Sequence, residues 1–120
     1  MMQDYANDIR QDGLSAELKY LDSSADFFWV PPGYGRAIGY DSVKRVLLDN
    51  APKLASVDNR YESLSIVPLS HDRAAYTARL RSVVVTKAGD TSSSVLLETG
   101  VVLLLDGRWK LLCGQTSIAP

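Results

Sequence analysis

Polar and apolar positions change their period once along the chain, at Pro52. Before it, apolar residues recur at helical spacing. Tyr5 and Ile9 lie four apart, which predicts a short helix over about Asp4 to Gln11, ended by Asp12-Gly13. Leu14, Leu18 and Leu21 follow at i, i+4 and i+7, one face of a second helix ending near Leu21. The stretch ADFFWV, rich in aromatics and stopped by Pro31-Pro32-Gly33, predicts a strand. GYGRAIG reads as a loop with room for a short strand near Ala37. Asp41 is placed to cap a third helix, with Val43, Val46 and Leu47 on one stripe. Pro52 closes that helix by disfavouring helical geometry at Ala51.

After Pro52 the pattern is extended. RYESLSIVPLS, AAYTARLRSVVVT, SSSVLLETGVVLLL and RWKLLCGQTS predict four long strands. They are separated by turn signals at Ser70 to Arg73, Lys87 to Asp90 and Asp106-Gly107. Such short separators favour antiparallel pairing of consecutive strands. Helices gathered in the first half and a meander in the second define an α+β chain. With 120 residues and no linker or repeat, one domain over 1–120 is expected.

The last hairpin carries the sharpest local information. Asp106-Gly107 suits a type I′ turn, in which both central residues take positive φ. A two-residue loop fixes the register, so Leu104 faces Trp109, Val102 faces Leu111, Gly100 faces Cys113 and Glu98 faces Gln115. Directly opposed residues share a face. One face then runs from apolar at Trp109 to polar at Glu98 and Gln115, with small residues leaving room for a cavity. The other carries Val101, Leu103 and Leu112 and needs a cover, for which a second copy of the chain is the simplest choice. A bulge in either strand would undo this parity. An even connection at Lys87 to Asp90 sets Arg79 or Arg81 beside Glu98; an odd one sets Ala78 or Leu80 there.

Composition narrows the chemistry. Hydrophobic residues make up 46% and charged residues 22%, a globular mixture, and 13 basic against 14 acidic residues leave a net charge of −1. No basic stretch invites nucleic acid, and no apolar run is long enough to span a membrane, so neither partner is expected. The polar start MMQDYANDIRQDG has no apolar leader segment, and a cytoplasmic protein is expected. One cysteine and one histidine give no metal ligand set, and no metal or cofactor is expected. Gly33-x-Gly35 lacks the third glycine and the strand-to-helix setting of a dinucleotide loop. His71 reads as a solvent-exposed turn residue beside Asp72, Cys113 as a small buried hydrophobe, and Trp29 and Trp109 as core. Tyr20, Tyr34, Tyr40, Tyr61 and Tyr76 are placed neither inside nor outside a pocket by the pattern. Glu98 stands out in VLLETGVVLLL, because a carboxylate is costly to bury unpaired. It is an edge residue reaching solvent, an ion-pair partner of Arg79 or Arg81, or a pocket carboxylate acting as acid, base or ligand anchor.

Three stretches carry a resemblance. They are the aromatic strand entering Pro-Gly with Gly39-x-Asp41-x-Val43 and the third helix, LSHDRAAYTARL, and the closing DGRWKLLCGQTS. In this order the chain resembles the nuclear transport factor 2-like superfamily, which includes SnoaL-like polyketide cyclases and ketosteroid isomerases. The resemblance implies a cone-shaped curved antiparallel sheet packed against three helices of the N-terminal half, a deep apolar pocket, and a homodimer through the sheet. Where the family often has a histidine near the end of the last strand, this chain has Gln115. Val30 stands where the isomerase has its catalytic aspartate, so that activity is not carried over, and Tyr5 sits roughly where it has its oxyanion tyrosine. The expected function is binding of a small organic ligand in a pocket formed by Trp29, Arg79, Glu98, Trp109, Cys113 and Gln115. The alternatives are a cofactor-independent isomerase, cyclase or dehydratase using Glu98 with Tyr5 as hydrogen-bond donor, and a dimeric association domain without ligand.

Overall fold

The computed structural model describes residues 2–120. Helix α1 (Met2–Asp12) passes through Gly13 into a 3-10 helix (Leu14–Tyr20). Gly13 has φ 88°, a left-handed conformation that other residues adopt only with strain, and it lets the chain reverse. Two tyrosine–carboxylate hydrogen bonds clamp the two segments: Tyr5 donates to Glu17, and Tyr20 donates to Asp8. The two tyrosine rings meet edge to face, 5.3 Å between centroids. The helical spacing of Leu14, Leu18 and Leu21 therefore serves a 3-10 helix, which spans more length per residue, and Leu21 already lies beyond it in a bridge to Leu111.

Strand β1 is short (Phe28–Val30), and Trp29 exchanges backbone hydrogen bonds with Ile38, the short extended piece expected near Ala37. Helix α2 (Tyr40–Asn50) starts two residues earlier than a cap at Asp41 would require. Gly39 occupies the cap position without a side-chain bond, and Asp41 instead puts its charge in the first turn, where the helix dipole favours it. Pro52 sits in a single 3-10 turn (Ala51–Lys53) that ends the helix.

The long strands are β2 (Leu54–Ser70), β3 (Arg73–Thr86), β4 (Thr91–Leu105) and β5 (Arg108–Ile118). The curved, unclosed sheet has the order β1-β5-β4-β3-β2; β1 runs parallel to β5 and the other neighbours are antiparallel. This is the expected α+β arrangement, with one parallel edge. Asp106 (φ 50°) and Gly107 (φ 78°) make the two-residue turn read from the sequence.

Two registers differ from expectation. Val102 faces Leu111 as expected, but Val101 then faces Cys113, Gly100 faces Gly114, and Glu98 faces Thr116. Leu112 is thus an extra residue in β5, a bulge that bends the strand and inverts the facing of everything after it. At the other end of β4, Val85 pairs with Thr91, so the connection holds an odd number of residues and Ala78 lies opposite Glu98. Gly89, with φ 93°, makes this turn. A second bulge, at Glu62, keeps Tyr61 on the inner face and turns Glu62 outward.

The core lies between the helices and the inner face. Ile9, Leu21, Phe27, Leu47, Val57, Tyr76 and Leu111 belong to one buried cluster. Across the middle of that face run Ile66, Tyr76, Gly100, Gly114 and Trp29, paired strand to strand. The two central glycines are there for space. A Cβ on Gly114 would lie 2.6 Å from the Trp29 ring and 2.5 Å from the Thr99 carbonyl, and one on Gly100 would lie 2.6 Å from the Cys113 carbonyl. Gly114→Ala is therefore expected to destabilise the fold by roughly 1–3 kcal/mol, read as a lower urea midpoint. An unchanged midpoint would mean that Trp29 can move off the sheet freely.

Candidate functional site

Between α2, the 3-10 helix and the inner face of the sheet lies a cavity of about 280 Å³. Val43, Val46 and Leu47 of α2 form its roof, and Leu54, Val57, Leu80, Val84 and Leu96 its apolar floor. Trp29, Pro31, Pro32 and Ile38 close one side. Its polar groups are Tyr5, Glu17, Asn59, Tyr61, Ser82, Glu98 and Thr116. A larger groove of about 460 Å³, lined by Met2, Leu64, Ile66, Ala74, Tyr76, Val102 and Trp109, is more open to solvent. Its polar groups are Gln3, the Trp109 indole N–H and the Tyr76 hydroxyl, which is bonded to Glu98; among the described residues it holds no carboxyl.

Glu98 is 8% exposed, and both of its oxygens are held. The Tyr76 hydroxyl donates to Oε2 at 2.9 Å, and the Thr116 hydroxyl donates to Oε1 at 3.0 Å. Behind Thr116, the Trp29 indole N–H donates to Oγ1 at 2.9 Å. Indole can only donate, so Thr116 must accept from Trp29 and send its own proton to Glu98. The glycine pair makes this possible: Gly100 and Gly114 let the Tyr76 and Trp29 rings lie across the sheet and reach their partners. Burial pushes Glu98 above the usual carboxylate range, while the hydroxyls of Tyr76 and Thr116 pull the other way.

A second carboxyl shares the cavity. Glu17, on the 3-10 helix, accepts from the Tyr5 hydroxyl. Its pKa is pushed up to about 8, first by burial and then by the negative charge of Glu98. Glu17 as a residue is half-buried, on the wall of the cavity. Burial together with Glu98 and Glu17 also raises Tyr61, so its hydroxyl stays protonated. Among the described residues, no Lys, Arg or His lines the cavity.

The structure brings Tyr5, Trp29 and Glu98 together and separates the other residues proposed from the sequence. Trp109 is on the inner face but lines the open groove. Cys113 and Gln115 are on the outer face, because the Leu112 bulge inverts the strand there. Arg79 is on the outer face of β3, where it and Arg81 pair with Glu62 at 3.3 and 3.8 Å. His71 is exposed in the β2–β3 turn beside Asp72, at 4.0 Å. The sequence pattern singled out none of Glu17, Thr116, Asn59 and Ser82, and of the tyrosines it left unplaced, Tyr61 lines the cavity and Tyr76 holds Glu98. Glu17 carried a signal: it is three residues after Leu14 and four before Leu21, a charge on the apolar stripe. Among the described residues, no three His, Cys, Asp or Glu side chains cluster as metal ligands, and no helix is long and apolar enough to cross a membrane.

Solved structures match this architecture over nearly its whole length. A protein named for scytalone dehydratase, from Novosphingobium aromaticivorans, superposes with a TM-score of 0.84 at 13% identity, over 99% of this chain and 79% of the other. A nuclear transport factor 2-like superfamily protein from Salmonella enterica gives 0.80 at 11% identity, over 99% and 86%. The fold is nuclear transport factor 2-like. A hexachlorocyclohexane dehydrochlorinase of type 2 shares it, with a TM-score of 0.76 at 12% identity, over 99% and 80%. No family model matches the chain, and no curated protein matches it by sequence. At these identities the nuclear transport factor 2-like likeness carries the fold and leaves the chemistry to the cavity itself.

The Glu17 carboxyl sets an expectation for stability. In the folded protein it holds its proton up to about pH 8, against the usual 4.5 once unfolded. Between those values the folded state binds more protons, so stability falls as pH rises through that window and levels off above it. Glu98, raised as well, acts in the same direction. The melting temperature of the ligand-free protein should fall between pH 5 and pH 8, and Glu17→Gln should remove much of that slope. A flat wild-type profile would mean that Glu17 is solvated and ionised.

Proposed function

We propose that this protein binds a small, largely apolar organic molecule in the cavity under α2, oriented by the Glu98 carboxyl. One observation carries the reading: Glu98, with both oxygens held by hydroxyls, faces a cavity of about 280 Å³ whose remaining walls are mostly aliphatic and aromatic. Ligand sites commonly have this form, apolar walls with a few fixed polar groups. Trp29 lines the cavity, so occupancy should change its fluorescence. Leu96→Trp, which fills the cavity from the floor, is expected to abolish the thermal shift given by binding fragments. If Leu96→Trp folds and still binds every fragment as tightly as the wild type, the site lies elsewhere.

A second reading is favoured by the pKa of Glu17. Two carboxyls in one largely apolar cavity, at least one titrating near neutrality, are suited to taking a proton from one atom of a substrate and delivering one to another. That is the chemistry of cofactor-independent isomerisation or dehydration, and the names of two structural neighbours, a dehydratase and a dehydrochlorinase, are in keeping with it. In this reading Glu98 and Glu17 transfer protons, and Tyr5 positions Glu17. Glu98→Gln and Glu17→Gln should each lower turnover at least about 100-fold, within the range general acid–base catalysis contributes.

The outer face of the sheet is proposed to pair two copies of the chain. Val67, Ala75, Val101, Cys113 and Phe28 form one apolar row across all five strands, and Leu97, 40% exposed, lies on the same face two rows along β4, beyond the row of Thr99. Leu103, by contrast, is 6% exposed within the single chain, so a charge there would test folding rather than association. Leu97→Asp is expected to shift the protein from dimer to monomer in gel filtration with light scattering. A wild type that is monomeric at tens of micromolar would sink the idea.

A further inference from the structure

We propose that the ligand of this cavity is an organic ammonium ion: a small apolar body carrying one protonated amine, seated between Glu17 and Glu98. The proposal rests on the reading of the cavity as a small-molecule site and names the charge that the ligand must bring.

The first support is the balance of charge. Glu17 from the 3-10 helix and Glu98 from β4 both line the cavity, and among the described residues no Lys, Arg or His does. The arginines of the neighbouring strand, Arg79 and Arg81, point to the other side of the sheet and are engaged by Glu62. Every other ionisable group near the two carboxyls is a tyrosine: Tyr5 from α1, Tyr61 from β2 and Tyr76 from β3. Helix α2, β1 and β5 contribute only Val43, Val46, Leu47, Trp29 and Thr116. An anionic ligand would be repelled, and only a cation would gain an ionic partner from the carboxyls of this apolar enclosure.

The second support is independent of the carboxyls. The side-chain oxygen of Asn59, on β2 and lining the cavity, is buried without a hydrogen-bond partner among the described residues. Ser82, 7% exposed, stands directly across from it on β3 and lines the same cavity. Buried polar atoms are rarely left unmatched, so the Asn59 oxygen marks a place meant for a ligand donor or a bridging water. Together with the unused lone pairs of the two carboxylates, the cavity is rich in acceptors. An ammonium group is donor only, with three N–H bonds to place. The volume, roughly nine waters' worth, suits a ring or short chain bearing such a group.

Without the ligand, a proton serves in place of the cation: Glu17, with its pKa raised to about 8, is protonated at neutrality. Binding of the ammonium then displaces that proton to solvent, so affinity is linked to pH.

Calorimetric titration with matched sets of amine, alcohol and carboxylate tests this, on benzyl, phenethyl, cyclohexyl and hexyl bodies, from about pH 6 to about pH 9. At pH 8 at least one amine should bind about tenfold or more tightly than its alcohol, and its carboxylate should not bind. The amine's affinity should rise between pH 6 and pH 8, by up to about tenfold per pH unit, with a heat that depends on the buffer's ionisation enthalpy. Glu17→Gln should erase the pH slope and most of the preference for amine. Should that variant fail to fold, the buffer dependence in the wild type decides alone. Alcohols binding as well as amines, or amine binding without proton release, overturns the charge assignment and leaves the small-molecule reading standing. If no member of any set binds at millimolar concentration, both fall.

Discussion

A carboxylate in the middle of an aliphatic strand has to be satisfied or the strand cannot be buried, and much of this molecule's inner face is arranged around that demand. Glu98 needs two hydroxyls at hydrogen-bond distance. Tyr76 and Thr116 supply them, and Trp29 fixes the direction of the Thr116 proton. Tyr76 and Trp29 can lie across the sheet only because Gly100 and Gly114 face each other beneath them. Gly114 and Thr116 face inward only because Leu112 is an extra residue in β5. A bulge, two glycines, an indole and two hydroxyls thus form one dependent chain. Removing one of these hydroxyl partners from the buried carboxyl costs roughly 1–3 kcal/mol, a sizeable part of a domain's net stability.

The bulge explains what was legible in the sequence and what was not. Period and turn chemistry declared the strands, and Asp106-Gly107 set the register correctly through Val102 and Leu111. Beyond that pair the reading failed by one residue, which in a strand means failing by a whole face. Gln115 was expected inside and is outside, in a polar outer row with Ser65, Thr77 and Thr99; Thr116 took its place beside Glu98. Nothing in LLCG marks Leu112 as the extra residue, because the reason for it is three-dimensional: the room needed by Trp29 and the reach of Thr116. Arg79 was misplaced for a similar reason, since the parity of the β3–β4 connection decides which side chain stands next to Glu98.

Glu17 is a different kind of omission. Its place on the stripe of Leu14 and Leu21 was visible, yet a single charge on a short helix is ordinarily a solvated residue. What makes it part of the site is the clamp between α1 and the 3-10 helix. Tyr5 holds Glu17 and Tyr20 holds Asp8, at the same separation along the chain and with the two rings in contact. The clamp turns the 3-10 helix so that Glu17 faces inward, a tertiary consequence that no local pattern contains.

The two carboxyls then define what the cavity can do, whichever partner it meets. They differ in their support: Glu98 accepts from two hydroxyls, which favour its ionised form, and Glu17 from one. The less supported of two interacting acids in one apolar space is the one that keeps its proton, and here the negative charge of Glu98 raises Glu17 further. The geometry therefore gives the site two unequal carboxyls, one held by two hydroxyls and one, with its pKa raised to about 8, held by a single hydroxyl. An ammonium ligand would expel the Glu17 proton and pair with the charge left behind; a substrate undergoing elimination or isomerisation would exchange protons with the pair. The same physical arrangement underlies either use, and the charge of the molecule that enters the cavity separates them.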